Sequence, residues 1–328
     1  MIKVGIIGYG KMGKIRAAAV ESTGIAKVSL IWDVSVPDVV DFPVARTAEE
    51  ILEHPDIDAV FICTPNFRIV PLTIAALQAG KHVFSEKPPA STAEEMKTVC
   101  RAEKVSGKKL MYGFNHRHHG SIQRMKQIVE DGEMGKILWM RGRYGKEVDE
   151  TFLQGWRADP KLSGGGIMLD QGIHMLDLFM YLAGDFDEVH SLISNLFWKI
   201  PGIEDNVFAI MRSSSSGVCA SLHSTMTQWR YLFSLEVFLE RGSLILNGLK
   251  TSSGVYGDED LAIKRNESKD ETGHFAHEER VTYHTDTSWI SEANSFLKSI
   301  DENTPIALGN SGDAYQLMCL LDRIYHRE

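Results

Sequence analysis

Through the first third of the chain, short apolar runs alternate with longer stretches whose apolar positions recur at helical spacing. Ile2–Ile7, Val28–Trp32, Ala59–Cys63, His82–Ser85 and Lys109–Tyr112 are rich in Val, Ile and Phe and read as strands, several closing on turn residues. Met12–Glu21, Ala48–Glu53, Ile69–Ala79 and Ala93–Val105 read as the helices between them. Thr47 and Thr92 are each followed three residues later by a glutamate, Glu50 and Glu95, the pattern of a capping box. Gly80 and Gly107 stand where helices should stop. Alternation of this kind predicts a doubly wound parallel sheet with helices on both faces.

The pattern changes after about Asn115. A helix at Ile122–Glu130, a strand at Lys136–Tyr144 and a polar, glycine-rich loop lead to a helix near Ile167–Leu182. Val189–Phe197, Asn206–Met211, Val218–Ser224, Leu232–Leu239 and Gly242–Leu246 then follow as strands, the last four separated by short Ser, Gly and Arg turns, which predicts an antiparallel sheet. Asp258–Glu279 is polar and charged and reads as an exposed loop or hairpin; helices at Ser288–Ile300 and Gly312–Tyr325 close the chain. The expectation is an α/β protein with a first domain over residues 1–120 and a second over 121–328, the last helix packing back on the first.

Composition narrows the class. A chain of 328 residues, 43% apolar and 24% charged, has material for two cores. A net charge of -9 and a pI near 5.8 argue against general affinity for nucleic acid or an anionic membrane. Cys63, Cys100, Cys219 and Cys319 are too far apart in sequence for a CxxC pair and read as buried free thiols. With the chain opening directly on a strand, and no apolar run long enough to cross a bilayer, a cytoplasmic protein is expected.

The first chemical signal is Gly8-x-Gly10-x-x-Gly13, between the first strand and the first helix, with Lys11 and Met12 inside it. The first glycine permits a tight turn, the second lets backbone approach a pyrophosphate, and the third lets helix pack on strand. The helix N-terminus then meets the phosphates with unbonded N–H groups and a favourable dipole. Asp33 ends the second strand about 20 residues beyond Gly13, where a carboxylate accepts hydrogen bonds from the adenosine ribose. The same charge repels a 2′-phosphate, and Val34, Ser35 and Val36 bring no cation to receive one, so the cofactor read here is NAD in preference to NADP.

Three further segments carry chemistry. Cys63-Thr64-Pro65-Asn66 and Glu86-Lys87-Pro88 each follow a strand of the first sheet, on the side where doubly wound sheets bind ligands. Gly164-Gly165-Gly166 opens the long helix that carries Asp170 and His174. Four apart, these two share a helix face, and a carboxylate beside an imidazole orients it and raises its basicity; the three glycines permit close backbone approach. Asp177, three beyond His174, reads either as the helix's polar edge or as a cap elsewhere. His116-Arg117-His118-His119 does not have the spacing of a zinc helix motif and has no acidic or thiol ligand nearby in sequence, so no metal site is read there.

Together these segments, with Asn115-x-Arg117 and Trp156-Arg157, resemble the Gfo/Idh/MocA family of glucose-fructose oxidoreductase, inositol dehydrogenase and relatives, over essentially the whole chain. The resemblance implies a Rossmann domain followed by an α/β domain with a large open, mostly antiparallel sheet. It also implies that Lys87, Asp170 and His174 line the catalytic pocket beside the nicotinamide, that Lys87–Pro88 is cis, and that His116–His119 is a loop after a strand. Contacts from Thr64, Pro65, Asn66, Glu86 and Lys87 to the cofactor, and from Asn115, Arg117, Trp156 and Arg157 to the substrate, follow as expectations. One departure stands out: relatives often carry a histidine three residues after the Thr-Pro-Asn asparagine, and here that position is Ile69.

The implied reaction is reversible oxidation of a secondary alcohol on a sugar, cyclitol or nucleotide-activated sugar. His174 takes the hydroxyl proton, Asp170 orients His174, and Lys87 stabilises the developing alkoxide. Two alternatives stay open: oxidation–elimination chemistry on glycosides with a retained NAD, and a non-catalytic NAD-binding sensor. A homodimer or homotetramer through the second domain's sheet is expected, since relatives cover that face with another subunit.

Overall fold

The early runs of Val, Ile and Phe form a parallel sheet. In the computed structural model, which describes residues 1–35, 40–266 and 278–326, the strands are β1 (Ile2–Ile7), β2 (Ala26–Trp32), β3 (Ala59–Ile62), β4 (His82–Glu86) and β5 (Leu110–Gly113), in the order β2-β1-β3-β4-β5. Every residue of β3 and β5 is buried, because helices cover both faces and leave no reason for polar alternation. Between the strands run α1 (Lys11–Ser22), α2 (Ala48–Glu53), α3 (Asn66–Gln78) and α4 (Ala93–Ser106). These elements belong to a compact unit made of Met1–Asn115, Lys161–Ser163 and Ser288–Cys319.

The capping signals hold with one adjustment. Thr47 and Thr92 accept from the N–H of Glu50 and Glu95, at 3.2 Å each, but the glutamates reach one residue past the cap, to the N–H of Arg46 at 2.9 Å and Ser91 at 2.8 Å. Helix α3 begins at Asn66, three residues before the apolar period shows, because its first turn points outward and exposes Phe67.

The core of this unit holds an ion cluster that the sequence does not announce. Arg16 of α1 is fully buried; its Nε donates to Glu86 of β4 at 2.7 Å and its Nη1 to Glu292 of a later helix, Ser288–Asp301, at 2.5 Å. Its guanidinium lies over the Phe84 and Trp289 rings, 4.4 and 4.7 Å from their centroids. Burial works against the charge, but Glu292 and Glu86 outweigh it, and the guanidinium's pKa is raised. Around the cluster Phe61 stacks on Phe84 at 4.7 Å, and Phe296 meets both edge-on.

The second unit comprises His116–Pro160, Gly164–Thr287 and Leu320–Glu328. After α5 (Gly120–Asp131) come β6 (Ile137–Gly145), a single turn α6 (Pro160–Ser163) at the junction with the first unit's residues, a π-wound turn at Met168–Gly172 and α7 (Ile173–Ala183). Then follow β7 (Glu188–Ser194), β8 (Asn206–Arg212), β9 (Cys219–Thr225), β10 (Leu232–Leu239), β11 (Gly242–Asn247), β12 (Glu259–Arg265) and β13 (Glu279–Tyr283), before α8 (Ser288–Asp301) and α9 (Ser311–Ile324). Among the described residues the sheet order is β13-β12-β11-β10-β6-β9-β8-β7, antiparallel except for the β6–β9 pair. Met140, Gly142 and Tyr144 alternate with the exposed Trp139, Arg141 and Arg143 along β6, so one face is covered and the other open. Helix α7 covers it: a Cβ on Gly142 would lie 2.5 Å from Met175.

Four readings change. Asp258–Glu279 has the expected hairpin at its described ends, where β12 pairs antiparallel with β13, but it is not exposed throughout: Glu259 is buried because His119 and Ser121 bind its carboxylate; residues 267–277 of that reading lie outside the described residues. The expected loop at His116–His119 begins as a buried 3-10 turn, Asn115–His118. The strand expected to reach Phe197 ends at Ser194, since Asp205 draws the N–H groups of Leu196, Phe197 and Trp198 into a turn. All four thiols are free, but Cys219 is exposed on the open face of β9 and the rest are half-buried.

Glu292→Ala leaves the fully buried Arg16 charge with one partner. It should lower unfolding free energy by about 3–5 kcal/mol, the usual cost of breaking a buried pair. Urea denaturation followed by far-UV circular dichroism measures this, and a loss below about 1 kcal/mol would show the cluster to be slack.

Candidate functional site

In the first unit the sheet reverses its winding direction between β1 and β3, and the glycine turn leaves β1 at that point. The three glycines differ in what surrounds them. Gly8 has φ +96° and a Cβ there would lie 2.6 Å from the Cys63 carbonyl oxygen; one on Gly13 would lie 2.0 Å from the Gly8 carbonyl oxygen. A Cβ on Gly10 would meet nothing within 4 Å, so its surroundings are open, as close approach of a pyrophosphate requires. Gly10 is the N-cap of α1, whose first N–H groups, from Lys11, Met12 and Gly13, have no acceptor within the helix.

Asp33 is fixed at the same turn. Its carboxylate accepts from the N–H of Tyr9 at 2.6 Å and of Ser35 at 3.1 Å. The guanidinium of Arg68 lies over the ring of Trp32, the residue before Asp33, at 5.5 Å. Thr64, just beyond β3, has a buried hydroxyl that finds no hydrogen-bond partner among the described residues, a donor that suits an added polar ligand. The open space at Gly10, the fixed Asp33 carboxylate and the Thr64 hydroxyl fit a dinucleotide.

Other expected cofactor contacts are committed elsewhere. The Glu86 carboxylate is ion-paired to Arg16. Asn66 opens α3 behind the N-cap Pro65 and donates its amide to the Ser163 carbonyl at 2.7 Å. Lys87 is half-buried and Lys87–Pro88 is cis. Ile69 is fully buried core.

The second unit assembles a polar cluster around Asp170. This residue lies in the π-wound turn, not in regular α-helix, so the face it was expected to share with His174 does not follow from their spacing. Its carboxylate is ion-paired to Lys146, immediately after β6, and to Nε of Arg157 at 3.3 Å. Arg157 is half-exposed and its guanidinium lies 4.4 Å from the Trp156 ring centroid. His174, in the first turn of α7, is buried and stacks face to face on His116, with centroids 3.9 Å apart at 12°. Nε2 of His116 lies 3.1 Å from the Tyr144 hydroxyl, and burial pushes the pKa of that phenol well up, so it stays protonated.

Arg117 and Asp177 are corrected. Both are buried, and Arg117 donates to Asp177 through Nε at 2.8 Å and Nη2 at 2.6 Å, so the fork expected at a substrate is engaged in the core and Asp177 is not a polar edge. In the first unit, Asn115 donates to the Ser288 hydroxyl at 3.0 Å and is buried. Among the described residues no cluster of three or more His, Cys, Asp or Glu is arranged to hold a metal ion. Lys146 was missed from the sequence, although its place at the end of a strand facing a glycine-rich loop was a usable signal. Arg16 interrupts the apolar positions of α1, and an arginine there was a signal for a buried partner.

A phosphate turn at the switch point of a parallel sheet, with an acidic residue at the end of the adjacent strand, defines a dinucleotide-binding α/β protein. The family model described as "Oxidoreductase family, NAD-binding Rossmann fold" matches residues 2–114, and that of the "GFO/IDH/MocA C-terminal domain" matches 122–245. The two together span more than half of the chain, and the protein belongs to the Gfo/Idh/MocA family of oxidoreductases, with NAD as its cofactor. The myo-inositol 2-dehydrogenase of Thermotoga maritima is 25% identical over 98% of this chain and 94% of its own length. Levoglucosan dehydrogenase of Pseudarthrobacter phenanthrenivorans is 32% identical over 59% of this chain, and that match spans 54% of the relative's length. A solved levoglucosan dehydrogenase, in complex with NADH and levoglucosan, has the same fold, with a TM-score of 0.86 over 99% of this chain and 96% of that one at 24% identity.

The glycines separate binding from folding. Gly10→Ala should leave stability within about 0.5 kcal/mol, as for a surface change, yet weaken NAD at least tenfold, about 1.4 kcal/mol. Gly13→Ala, clashing with backbone, should destabilise by about 1–3 kcal/mol. In the same titrations wild type should bind NAD at least tenfold more tightly than NADP, and Asp33→Ser, which keeps Arg68, should narrow that ratio. Calorimetry with both cofactors and thermal unfolding decide these points; equal effects of the two glycine substitutions would contradict the assignment.

Proposed function

We propose that this protein reversibly oxidises a secondary alcohol of a sugar or cyclitol, with NAD as hydride acceptor. The observation that carries the reading is His174: a buried imidazole at the start of α7, stacked on His116 and following a turn whose carboxylate, Asp170, is held by two cations. Relatives named for inositol, levoglucosan and D-glucoside dehydrogenase activity support the substrate class.

The bound cofactor supplies the site that receives the hydride. His174 accepts the hydroxyl proton as the C–H bond breaks. Asp170 keeps a negative charge in the cluster, which favours the imidazolium that results. Lys87, beyond β4, donates to the developing alkoxide and stabilises it. Trp156 and Arg157 contribute a flat apolar surface and a cation toward the substrate.

The proposed assembly is a homodimer or homotetramer in which a second copy covers the open sheet face. There Trp139 stacks on Phe238 at 3.9 Å, Phe208 stacks on His223 at 4.0 Å, and Leu192 and Ile210 are exposed. These apolar groups alternate on the open face with charged ones, among them the Arg141–Glu236 ion pair, and a two-fold axis pairs such a mixed face with itself. Light scattering at micromolar concentration should give at least twice the 36.7 kDa chain mass; a stable monomer would overturn this.

Nicotinamide absorbance across a panel of polyols should identify substrates. With one in hand, His174→Ala should lower kcat by about 10²–10⁴-fold, and Lys87→Ala strongly as well. NAD affinity should stay within about tenfold in both, since neither change touches the glycine turn. Near-normal turnover in both variants would remove the proposed roles. Joint loss of NAD binding and thermal stability would make the residues structural.

A further inference from the structure

We propose that Gln171 and Tyr256 form a hydroxyl-recognising subsite next to Asp170 that selects the substrate, a deepening of the reading of Asp170 and His174 as the reaction site. Gln171 follows Asp170 in the π-wound turn, and its Nε2 lies 2.5 Å from the Tyr256 hydroxyl. Its Oε1 is buried and, among the described residues, has no hydrogen-bond partner. A phenol both donates and accepts, so it satisfies one end of the amide whichever way the amide is turned, and the other end stays unmet. A buried amide group left so costs about 1–3 kcal/mol. Met or Leu would remove that cost, so the amide's use lies in a bound ligand that supplies the missing partner.

Tyr256 is held firmly enough to serve. It lies in the loop between β11 and β12, which is tied by the Lys250–Asp258 ion pair at 2.6 Å and by the Lys250 N–H on Glu259 at 3.2 Å. Its ring is braced edge-on by Tyr144 at 5.4 Å and Tyr231 at 5.0 Å. Burial, with the Asp170 charge adding to it, raises the phenol's pKa, so Tyr256 keeps its proton and its hydrogen bond to Gln171. The subsite is continuous with the reaction cluster, because Tyr144 bonds His116 and His116 stacks on His174. A neutral amide end flanked by tyrosines matches a ring hydroxyl, which satisfies either end of the amide, better than a phosphate or carboxylate. The ligand class is therefore a neutral polyhydroxylated ring with a hydroxyl neighbouring the reacting carbon.

The test uses the full chain, labelled with ¹⁵N and saturated with NADH, titrated separately with myo-inositol and levoglucosan. The Gln171 side-chain amide signals are assigned by their disappearance in Gln171→Met. At least one of these probes should shift them saturably, and Gln171→Met and Tyr256→Phe should each weaken that probe's binding about 10–100-fold, with NADH affinity unchanged in both and the melting temperature of Gln171→Met no lower than that of wild type. Amide signals that stay fixed while other resonances saturate would overturn the subsite. So would variants that bind the probe like wild type, variants that lose NADH and probe together, or no response to either probe. Turnover of the probes with NAD is measured in parallel. Binding through Gln171 without turnover sinks the proposed reaction and keeps the subsite; turnover that both variants retain sinks the subsite and keeps the reaction.

Discussion

The first unit depends on one buried cation. Arg16 joins three segments far apart in sequence: α1, which carries the glycine turn; β4, which ends at Glu86 before Lys87; and α8, which carries Glu292. Removing a guanidinium from water is unfavourable unless its hydrogen bonds and charge are met, so the three segments must adopt one mutual position for it to be tolerated. The constraint reaches neighbouring residues: a Cβ on Gly113 would stand 2.8 Å from Arg16 Nη2 and 3.1 Å from Glu86 Oε2. The phosphate turn and the strand end that bears Lys87 are thereby placed by the same ion cluster, and the precision of the cofactor cradle is inherited from the core beneath it.

The second unit repeats the device with carboxylates. Glu204 is buried and accepts from the N–H of Gly166 at 2.7 Å, the N–H of Met168 at 2.9 Å and the Tyr325 hydroxyl at 2.7 Å. A Cβ on Gly166 would lie 2.1 Å from the Glu204 carbonyl oxygen, so the close backbone approach that the glycine run permits is made by this residue. Burial raises the Glu204 pKa, its hydrogen bonds opposing that shift. The clamp holds the entry to the π-wound turn and so fixes where Asp170 and Gln171 leave the backbone. Glu259 does the same across the sheet, gathering His119 at 2.5 Å, Ser121 at 2.6 Å and the Lys250 N–H at 3.2 Å.

Legibility in the sequence followed the range of the forces involved. Strands β1 to β5, the caps at Thr47 and Thr92 and the glycine turn rest on local rules of periodicity, capping and backbone freedom, and they were readable in place, with strand ends shifted by one or two residues in β2 to β5. The sheet of the second unit was readable as strands, but its order, with β6 between β10 and β9, is a long-range pairing that no local pattern encodes. Side-chain partners were hidden where they lie far off in sequence: Arg16, Asp177 and Ser288, which bond Glu86, Arg117 and Asn115, stand 60 or more residues away from them. Lys146 and Tyr256 were overlooked for the converse reason: each matters only through a residue that the fold brings to it.

Asp170 differs from these clamps in a way that bears on its chemistry. Glu204 and Glu259 are buried and bonded to N–H and O–H donors that cannot easily leave. Asp170 keeps about a quarter of its side chain exposed, at 23%, and faces two long cationic side chains, of which Arg157 is 47% exposed. The partly solvated Arg157 can leave the carboxylate at modest cost, since exposed pairs are worth about 1 kcal/mol or less, while Lys146, only 14% exposed, holds it. A structural carboxylate gains nothing from such freedom, whereas one that must answer an imidazole's change of charge during a reaction does. The contrast in burial between Asp170 and these two carboxylates fits the responsive role proposed for Asp170, while Glu204 and Glu259 hold the fold around it.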